Sequence, residues 1–395
     1  MIAYNSQSLD NLYIQEQIEM AKVADCITAE EYNAVITAHP ANLYTPNPYM
    51  RIGIFILTVI ILSFSFGLFC LLSMSGGEGA FTFLCFLFGA GSYALAEYMV
   101  REKKHYKSGA DAALIWGAGI FLLSALGIAT NGDAPAWVWS FVALLLSVFF
   151  VLRFADVSMS IVAHLSFLGL IFSGCEKLGA IAKLVVPFAV MLASAGIYFL
   201  SVKLIAVHTY RHYKKCLQML QVCALITLYL AGNYFVVREV GNEMFHLDLQ
   251  PGQDIPGGWF FWILTVTLPL IYIYTGIRKK DRILICTGLF LIAGIVYTIR
   301  YYHSVAPLEV AMTLGGLMMI SVAYALIRYL KTPRHGFTEA SSDEKHAMES
   351  LQIESLVIAQ TMSHAATPRP DQFELGGGSG GGGGPTPRRD CHDRP

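Results

Sequence analysis

Ionisable side chains are scarce in the long apolar segments of this sequence, so those near these segments are the first candidates for chemistry. Glu97 and Arg101 lie four residues apart at the end of one apolar run, and Asp111 opens the next run across a short basic connection. On a helix this spacing places a carboxylate beside a guanidinium. It indicates either a gated ion network or a local ion pair at the membrane surface. We expect the local pair, because it is the more common arrangement.

His164 is the one ionisable residue near the middle of a predicted membrane span. An imidazole at this depth is able to relay protons. More often a buried histidine donates a hydrogen bond to a neighbouring carbonyl and stays neutral. We expect the second arrangement.

His208 and His212 have the spacing of a metal-binding pair on one helix face. Arg211, Lys214 and Lys215 surround them, however, and would repel a cation. We therefore expect no metal here, and we expect the basic cluster to meet anionic lipid head groups.

Asn233 and a set of small residues inside the predicted spans favour close helix packing, with a substrate path as the alternative. The small residues are Gly89, Ala90, Gly91, Ala113, Gly117, Gly119, Ala311 and Gly315. No GxSxG, HExxH or GxxxxGK[ST] motif occurs, so no motif supports a membrane enzyme. We predict no catalytic residue, no cofactor and no metal site. The eight cysteines form no CxxC pair.

Composition predicts a membrane protein. The chain is 55% hydrophobic and 14% charged, whereas soluble domains carry about 25% charged residues. Net charge is -1, which gives no indication of nucleic-acid binding. At about 20 apolar residues per crossing, we predict an all-α transmembrane bundle of about ten spans. They cover residues 50–73, 79–100, 110–129, 135–152, 157–173, 180–204, 214–237, 258–276, 281–299 and 306–330.

Basic residues predict the orientation, because Lys and Arg concentrate in cytoplasmic loops. The strong clusters share one side only if the short fifth segment crosses the membrane. They are 101–107, 211–215 and 278–282. We then expect both termini in the cytoplasm and the 238–257 loop outside. We find no cleavable secretory signal and expect the first span to direct insertion.

Soluble segments flank the predicted bundle of residues 49–330. We expect a cytoplasmic helical pair over 1–48, its first helix capped by Ser8 and its second opened by a capping box from Thr28 to Glu31. We expect an amphipathic helix over 331–364. The Gly-rich tail, residues 365–395, is predicted to be disordered.

The segment CITAEEYNAVITAHP, followed by small-residue-rich spans with AEYMVREKKHYKSGADAALIWGAG between the second and third, resembles a group of bacterial inner-membrane proteins. These are multi-pass proteins with a short soluble N-terminal helical pair. The resemblance covers about residues 10–170. It implies an inner-membrane location and no particular activity or site residue.

Two functional hypotheses follow. The first is a non-enzymatic scaffold or assembly component that reaches a protein partner through its terminal helices. The second is a small-solute transporter or ion-coupled carrier that uses Glu97, Arg101 and His164. A polar cavity at mid-membrane depth would favour the transporter, and a tightly packed bundle would favour the scaffold.

Overall fold

The computed structural model describes residues 2–23, 26–73, 76–176, 182–245, 254–255 and 257–302, with isolated positions between 310 and 328. Regular structure in these residues is helical, and no β-strand occurs among them. The helices are α1 (Ser6–Val23), α2 (Ala29–Ala38), α3 (Pro48–Leu72), α4 (Gly77–Arg101), α5 (Ala110–Ala129), α6 (Ala136–Phe154), α7 (Val157–Glu176), α8 (Ala182–Ile205), α9 (Lys214–Gly232), α10 (Tyr234–Phe245), α11 (Gly258–Lys279) and α12 (Arg282–Tyr302), with a 3-10 helix, His208–Tyr213, before α9.

Nine helical segments in the described part of the chain are long and apolar enough to cross a bilayer. They match the first nine predicted spans, so the all-α, multi-pass membrane fold is confirmed. The short fifth segment runs to Glu176 and forms a helix of 20 residues. The helix predicted over 331–364 and the Gly-rich tail lie outside the described residues, and so does most of the predicted tenth span.

Successive spans pair into helical hairpins: α4 with α5, α6 with α7, α8 with α9, and α11 with α12. Each hairpin turns at a connection that carries or adjoins Lys and Arg side chains. We call this side the basic end of the bundle. It is formed by residues 102–109, 155–156, 206–213 and 280–281.

The chain divides into two compact units, one of residues 1–9 and 42–312 and one of residues 10–41 and 313–395. In the second unit, side chains of α1 join the end of α2. Gln15 Nε2 donates to the His39 carbonyl at 2.7 Å, and Asn11 Nδ2 donates to the Pro40 carbonyl at 2.9 Å. The Lys22 ammonium also lies 4.2 Å from the centre of the Tyr32 ring. Residues 10–41 therefore contain a helical pair with its own cross-links.

The capping box predicted for α2 is confirmed. The Glu31 N–H donates to Thr28 Oγ1 at 3.2 Å, and the Thr28 N–H donates to Glu31 Oε2 at 2.8 Å. The second bond and the Thr28 hydroxyl lower the pKa of Glu31, because they stabilise its charged form.

The predicted cap of α1 is wrong by three positions. Asn5 rather than Ser8 caps this helix, since its Oδ1 accepts from the Gln7 and Ser8 N–H groups at 2.9 and 3.4 Å. Asparagine and serine are equally good caps. Asn5 is therefore the N-cap because it directly precedes the first turn of α1.

Close helix contact depends on particular glycines. A Cβ added at Gly89 in α4 would lie 2.7 Å from Leu122 Cγ and 3.2 Å from the Leu122 backbone nitrogen in α5. At Gly91, two residues further on, nothing lies within 4 Å. The predicted packing role thus applies to Gly89 and not to Gly91.

We expect Gly89→Ala to destabilise the bundle by about 1–3 kcal/mol, because the added methyl group has to push α4 away from α5. Gly91→Ala is the matched control on the same helix. It should leave stability unchanged or raise it by up to about 1 kcal/mol, the helix-propensity gain. Unfolding in mixed detergent micelles measures both, and equal effects would contradict the packing assignment.

Candidate functional site

Three charged side chains form an ion cluster at the basic end. Arg101 Nε lies 2.5 Å from Glu97 Oε1, which confirms the predicted local pair. Arg153 of α6 also donates through Nε to Glu97 Oε2 at 3.0 Å, and its Nη2 bonds Oε1. The side chains of Glu97 and Arg153 are about one fifth exposed, whereas that of Arg101 is more than half exposed. Glu97 therefore links α4 to α6, a pairing that sequence spacing did not indicate.

Asp111 does not belong to this ion cluster. Its Oδ1 accepts from the N–H groups of Gly109 and Ala112 at 3.0 and 2.9 Å, and Ser108 Oγ lies 3.4 Å away. The Asp111 carboxylate also lies close enough to Tyr4 to raise the pKa of its hydroxyl, after the larger effect of burial. The buried carboxylate thus organises the first turn of α5 and lies close to the N-terminal segment.

The N-terminal segment is seated in the basic end of the bundle. The Ala3 N–H donates to the Arg153 carbonyl at 2.8 Å, and Tyr4 is only 6% exposed. The Tyr4 ring meets that of Tyr106 edge-on with centroids 5.1 Å apart. Burial raises the pKa of Tyr4 well above its ordinary value, and the nearby Asp111 carboxylate adds to the effect. Tyr4 therefore stays a neutral hydrogen-bond donor.

The segment that follows the helical pair is attached at the same end. Tyr44 pairs with His105 in an isolated parallel bridge. Its N–H donates to the Lys104 carbonyl at 2.9 Å, and its carbonyl accepts from the Tyr106 N–H at 3.1 Å. Residues 10–41 are consequently flanked on both sides by chain that is bonded to the basic end. Sequence analysis missed both attachments, because neither has a local signal.

His164 lies in a polar cluster shared by α7, α8 and α9. Its side chain is buried, with the whole residue 2% exposed. Nε2 lies 3.1 Å from Thr227 Oγ1, and Ser194 Oγ lies 2.8 Å from the same oxygen. The predicted partner of His164, a backbone carbonyl, is wrong, because a hydroxyl from another helix takes that place.

The Thr227 hydroxyl is the centre of this cluster. It donates to a backbone carbonyl of its own helix, that of Cys223 at 3.0 Å or Ala224 at 3.1 Å. A hydroxyl has one proton, so its oxygen accepts from both His164 and Ser194. In this arrangement the imidazole donates through Nε2. Its Nδ1 is buried and makes no hydrogen bond with the residues that the structure describes.

The seventh span breaks at Asn233, so the prediction of one helix over 214–237 is wrong. α9 ends at Gly232, and Asn233 has extended backbone angles, φ -82° and ψ 127°. Its Nδ2 donates to Tyr229 Oη and to Thr298 Oγ1, both at 2.9 Å, and its Oδ1 accepts from the Val236 N–H at 3.2 Å. The side chain thus ends one helix, caps the next and joins both to α12.

Aromatic side chains cluster around this break. Tyr234 stacks on Trp262 with ring centroids 4.8 Å apart, and its hydroxyl donates to Asp254 Oδ1 at 2.5 Å. The Arg238 guanidinium lies 5.3 Å from the centre of the Tyr302 ring, and Tyr302 Oη donates to Glu239 Oε1 at 2.8 Å. Because α10 continues to Phe245, the loop predicted over 238–257 begins as a helix.

The i, i+4 spacing of His208 and His212 does not put them on one helix face in the structure. They lie in the 3-10 helix His208–Tyr213, in which residues three apart share a face. Arg211 Nη1 lies 3.1 Å from His208 Nδ1. No group of three metal-binding side chains occurs within the described ranges.

No protein-family model, curated protein or solved structure matches this chain. The fold and its polar clusters nevertheless define the class of protein. This is an all-α, multi-pass integral membrane protein in which His164 and Asn233 each hydrogen-bond to a residue of another span, Thr227 and Thr298 respectively.

We expect Thr227→Val to destabilise the bundle by about 1–2 kcal/mol, because His164 and Ser194 lose their shared acceptor. Thr267→Val is the matched control, since Thr267 Oγ1 is exposed and bonds only its own helix, at the Ile263 carbonyl.

His164→Asn should be tolerated, because an amide keeps one donor. Unfolding midpoints in detergent measure all three, and equal losses for Thr227→Val and Thr267→Val would contradict the cluster.

Proposed function

We propose that this protein is a non-enzymatic scaffold of a bacterial inner membrane that presents the helical pair of residues 10–41 to a cytoplasmic protein partner. The observation that carries the proposal is the double attachment. Ala3 before the pair, and Tyr44 after it, are bonded to the basic end of the bundle, and the buried Tyr4 ring packs on Tyr106 there. The chain is thus bonded to the basic end just before the helical pair and again just after it.

The surface of the helical pair supports the same proposal. Glu16 and Glu19 on α1, and Glu30 on α2, are exposed carboxylates. None of the residues of α2 is buried, and its apolar side chains Tyr32 and Val35 are half-exposed. Exposed acidic groups beside a partly exposed apolar face suit a basic protein surface.

The proposed orientation places the basic end in the cytoplasm. All four hairpin connections carry or adjoin basic residues, and the positive-inside rule concerns such short loops. Both termini then lie on the cytoplasmic side if the tenth segment also crosses.

Cysteine labelling tests this orientation. In a variant without the exposed native Cys26 and Cys286, we expect a membrane-impermeant maleimide on intact cells to label Asp133→Cys but not Lys103→Cys or Lys279→Cys. All three positions are exposed, and permeabilised cells should label all of them. Labelling of Lys103→Cys in intact cells would overturn the orientation.

Site-specific photocrosslinking tests the scaffold role. A photoreactive amino acid at the exposed Asn33 of α2 should give one dominant protein adduct in membranes. Glu16→Lys with Glu19→Lys should reduce this adduct at least about tenfold, because like charges then face the partner.

Glu78→Lys is the control for charge reversal, since Glu78 is exposed at the other end of α4. It should leave the adduct unchanged. A photoreactive residue at Asp133 should not give the same adduct. An adduct that survives reversal of Glu16 and Glu19, or that appears equally from position 133, would refute the scaffold role.

A small-solute transporter is the second candidate, and the helix break at Asn233 favours it. Broken spans form substrate sites in many transporters, and His164 Nδ1, in the middle part of α7, is buried with no hydrogen-bond partner among the described residues. In proteoliposomes, a transporter of this kind should show a protein-dependent proton flux that His164→Asn abolishes. The scaffold proposal expects no such flux.

A further inference from the structure

A groove of about 510 Å³ runs between α9 and α12. Gln218 and Arg282 lie at one end of it, and Ile226 and Phe290 lie at the other. Eight residues separate the two ends on each helix, which is about 12 Å at 1.5 Å per residue. The groove therefore extends from the basic end through most of one leaflet, whose hydrocarbon layer is about 15 Å thick.

The walls of the groove are apolar along its length. Val222 and Ile226 of α9 face Ile283 and Phe290 of α12, and Cys286 is exposed between them. The volume lies in the range of sites that bind small molecules, about 300–1,000 Å³. These walls suit a hydrocarbon chain and offer little to a polar solute.

The mouth of the groove is positively charged. Arg282 is the first residue of α12, and the exposed Arg278, Lys279 and Lys280 precede it. On the other wall, α9 begins at Lys214, one turn before Gln218. Asp281, between Lys280 and Arg282, caps α12 by accepting the Ile283 N–H at 2.9 Å, so residues 278–282 place four basic side chains beside one carboxylate. This excess of basic side chains favours an anionic group at the mouth.

We propose that this groove is a binding site for one anionic phospholipid. Its acyl chain lies between α9 and α12, and its phosphate contacts Arg282 at the mouth. A soluble anion would match the mouth but would leave the apolar walls unused, and a zwitterionic lipid would match the walls but not the charge. The site does not depend on the scaffold role, because it involves no residue of the helical pair.

Lipid binding to the purified full-length protein in neutral detergent tests the site. Native mass spectrometry compares retention of phosphatidylglycerol and phosphatidylcholine with identical acyl chains. We expect phosphatidylglycerol to bind more tightly. Arg282→Gln should remove about fivefold of that preference, the factor that corresponds to about 1 kcal/mol for one basic residue.

Two further variants separate the mouth from the walls. Cys286→Phe should weaken binding of both lipids by obstructing the groove. Lys103→Gln removes an exposed charge from another connection at the basic end and should leave the preference as in the wild type.

Three outcomes would overturn the proposal. The first is that Arg282→Gln does not lower the preference for phosphatidylglycerol by more than Lys103→Gln does. That result would mean general attraction to the basic surface. The second is unchanged binding of both lipids by Cys286→Phe. The third is efficient disulfide formation, in lipid-free protein, between Cys286 and a cysteine placed within residues 306–330. That result would show that the chain itself fills the groove.

Discussion

A polar side chain inside the hydrocarbon layer has no water to bond, so it has to find its partners within the protein. This constraint governs the packing of α7, α8, α9 and α12. Thr227 serves His164 and Ser194 at once, and Asn233 reaches Thr298 of α12. Each of these bonds fixes the rotation of one helix against another, which apolar packing alone would leave less specific. The polar clusters therefore determine the register of the second half of the bundle.

Features that depend on neighbouring residues were predictable from the sequence. Hydropathy located the first nine spans, and the capping box at Thr28 and Glu31 formed as predicted. The break at Asn233 was not predicted, because the sequence stays largely apolar through it and the bond that joins Asn233 to α12 reaches Thr298, 65 residues away. The same limit applies to the ion cluster. Spacing identified Glu97 and Arg101, whereas Arg153 is 56 residues from Glu97.

Arg153 contacts both the ion cluster and the N-terminal segment. Its guanidinium bonds Glu97 of α4, and its backbone carbonyl accepts the N–H of Ala3. A charge at the end of a span is costly unless it is paired or reaches water. Here the pairing that relieves this cost also positions α6, and α6 in turn supplies the acceptor that holds the N-terminal segment. The position of Tyr4 and the ion cluster thus both depend on the end of α6.

Internal bonding also bears on where function is located. The side chains that offered chemistry in the sequence, Glu97, Asp111, His164 and Asn233, all bond to the bundle itself. Groups used in this way stabilise one arrangement of the helices, and they have little capacity left for a partner. Contacts with other molecules are then expected at the periphery, where the structure leaves surface exposed. The acidic helical pair and the groove between α9 and α12 are two such surfaces, and their opposite charges suit different ligands.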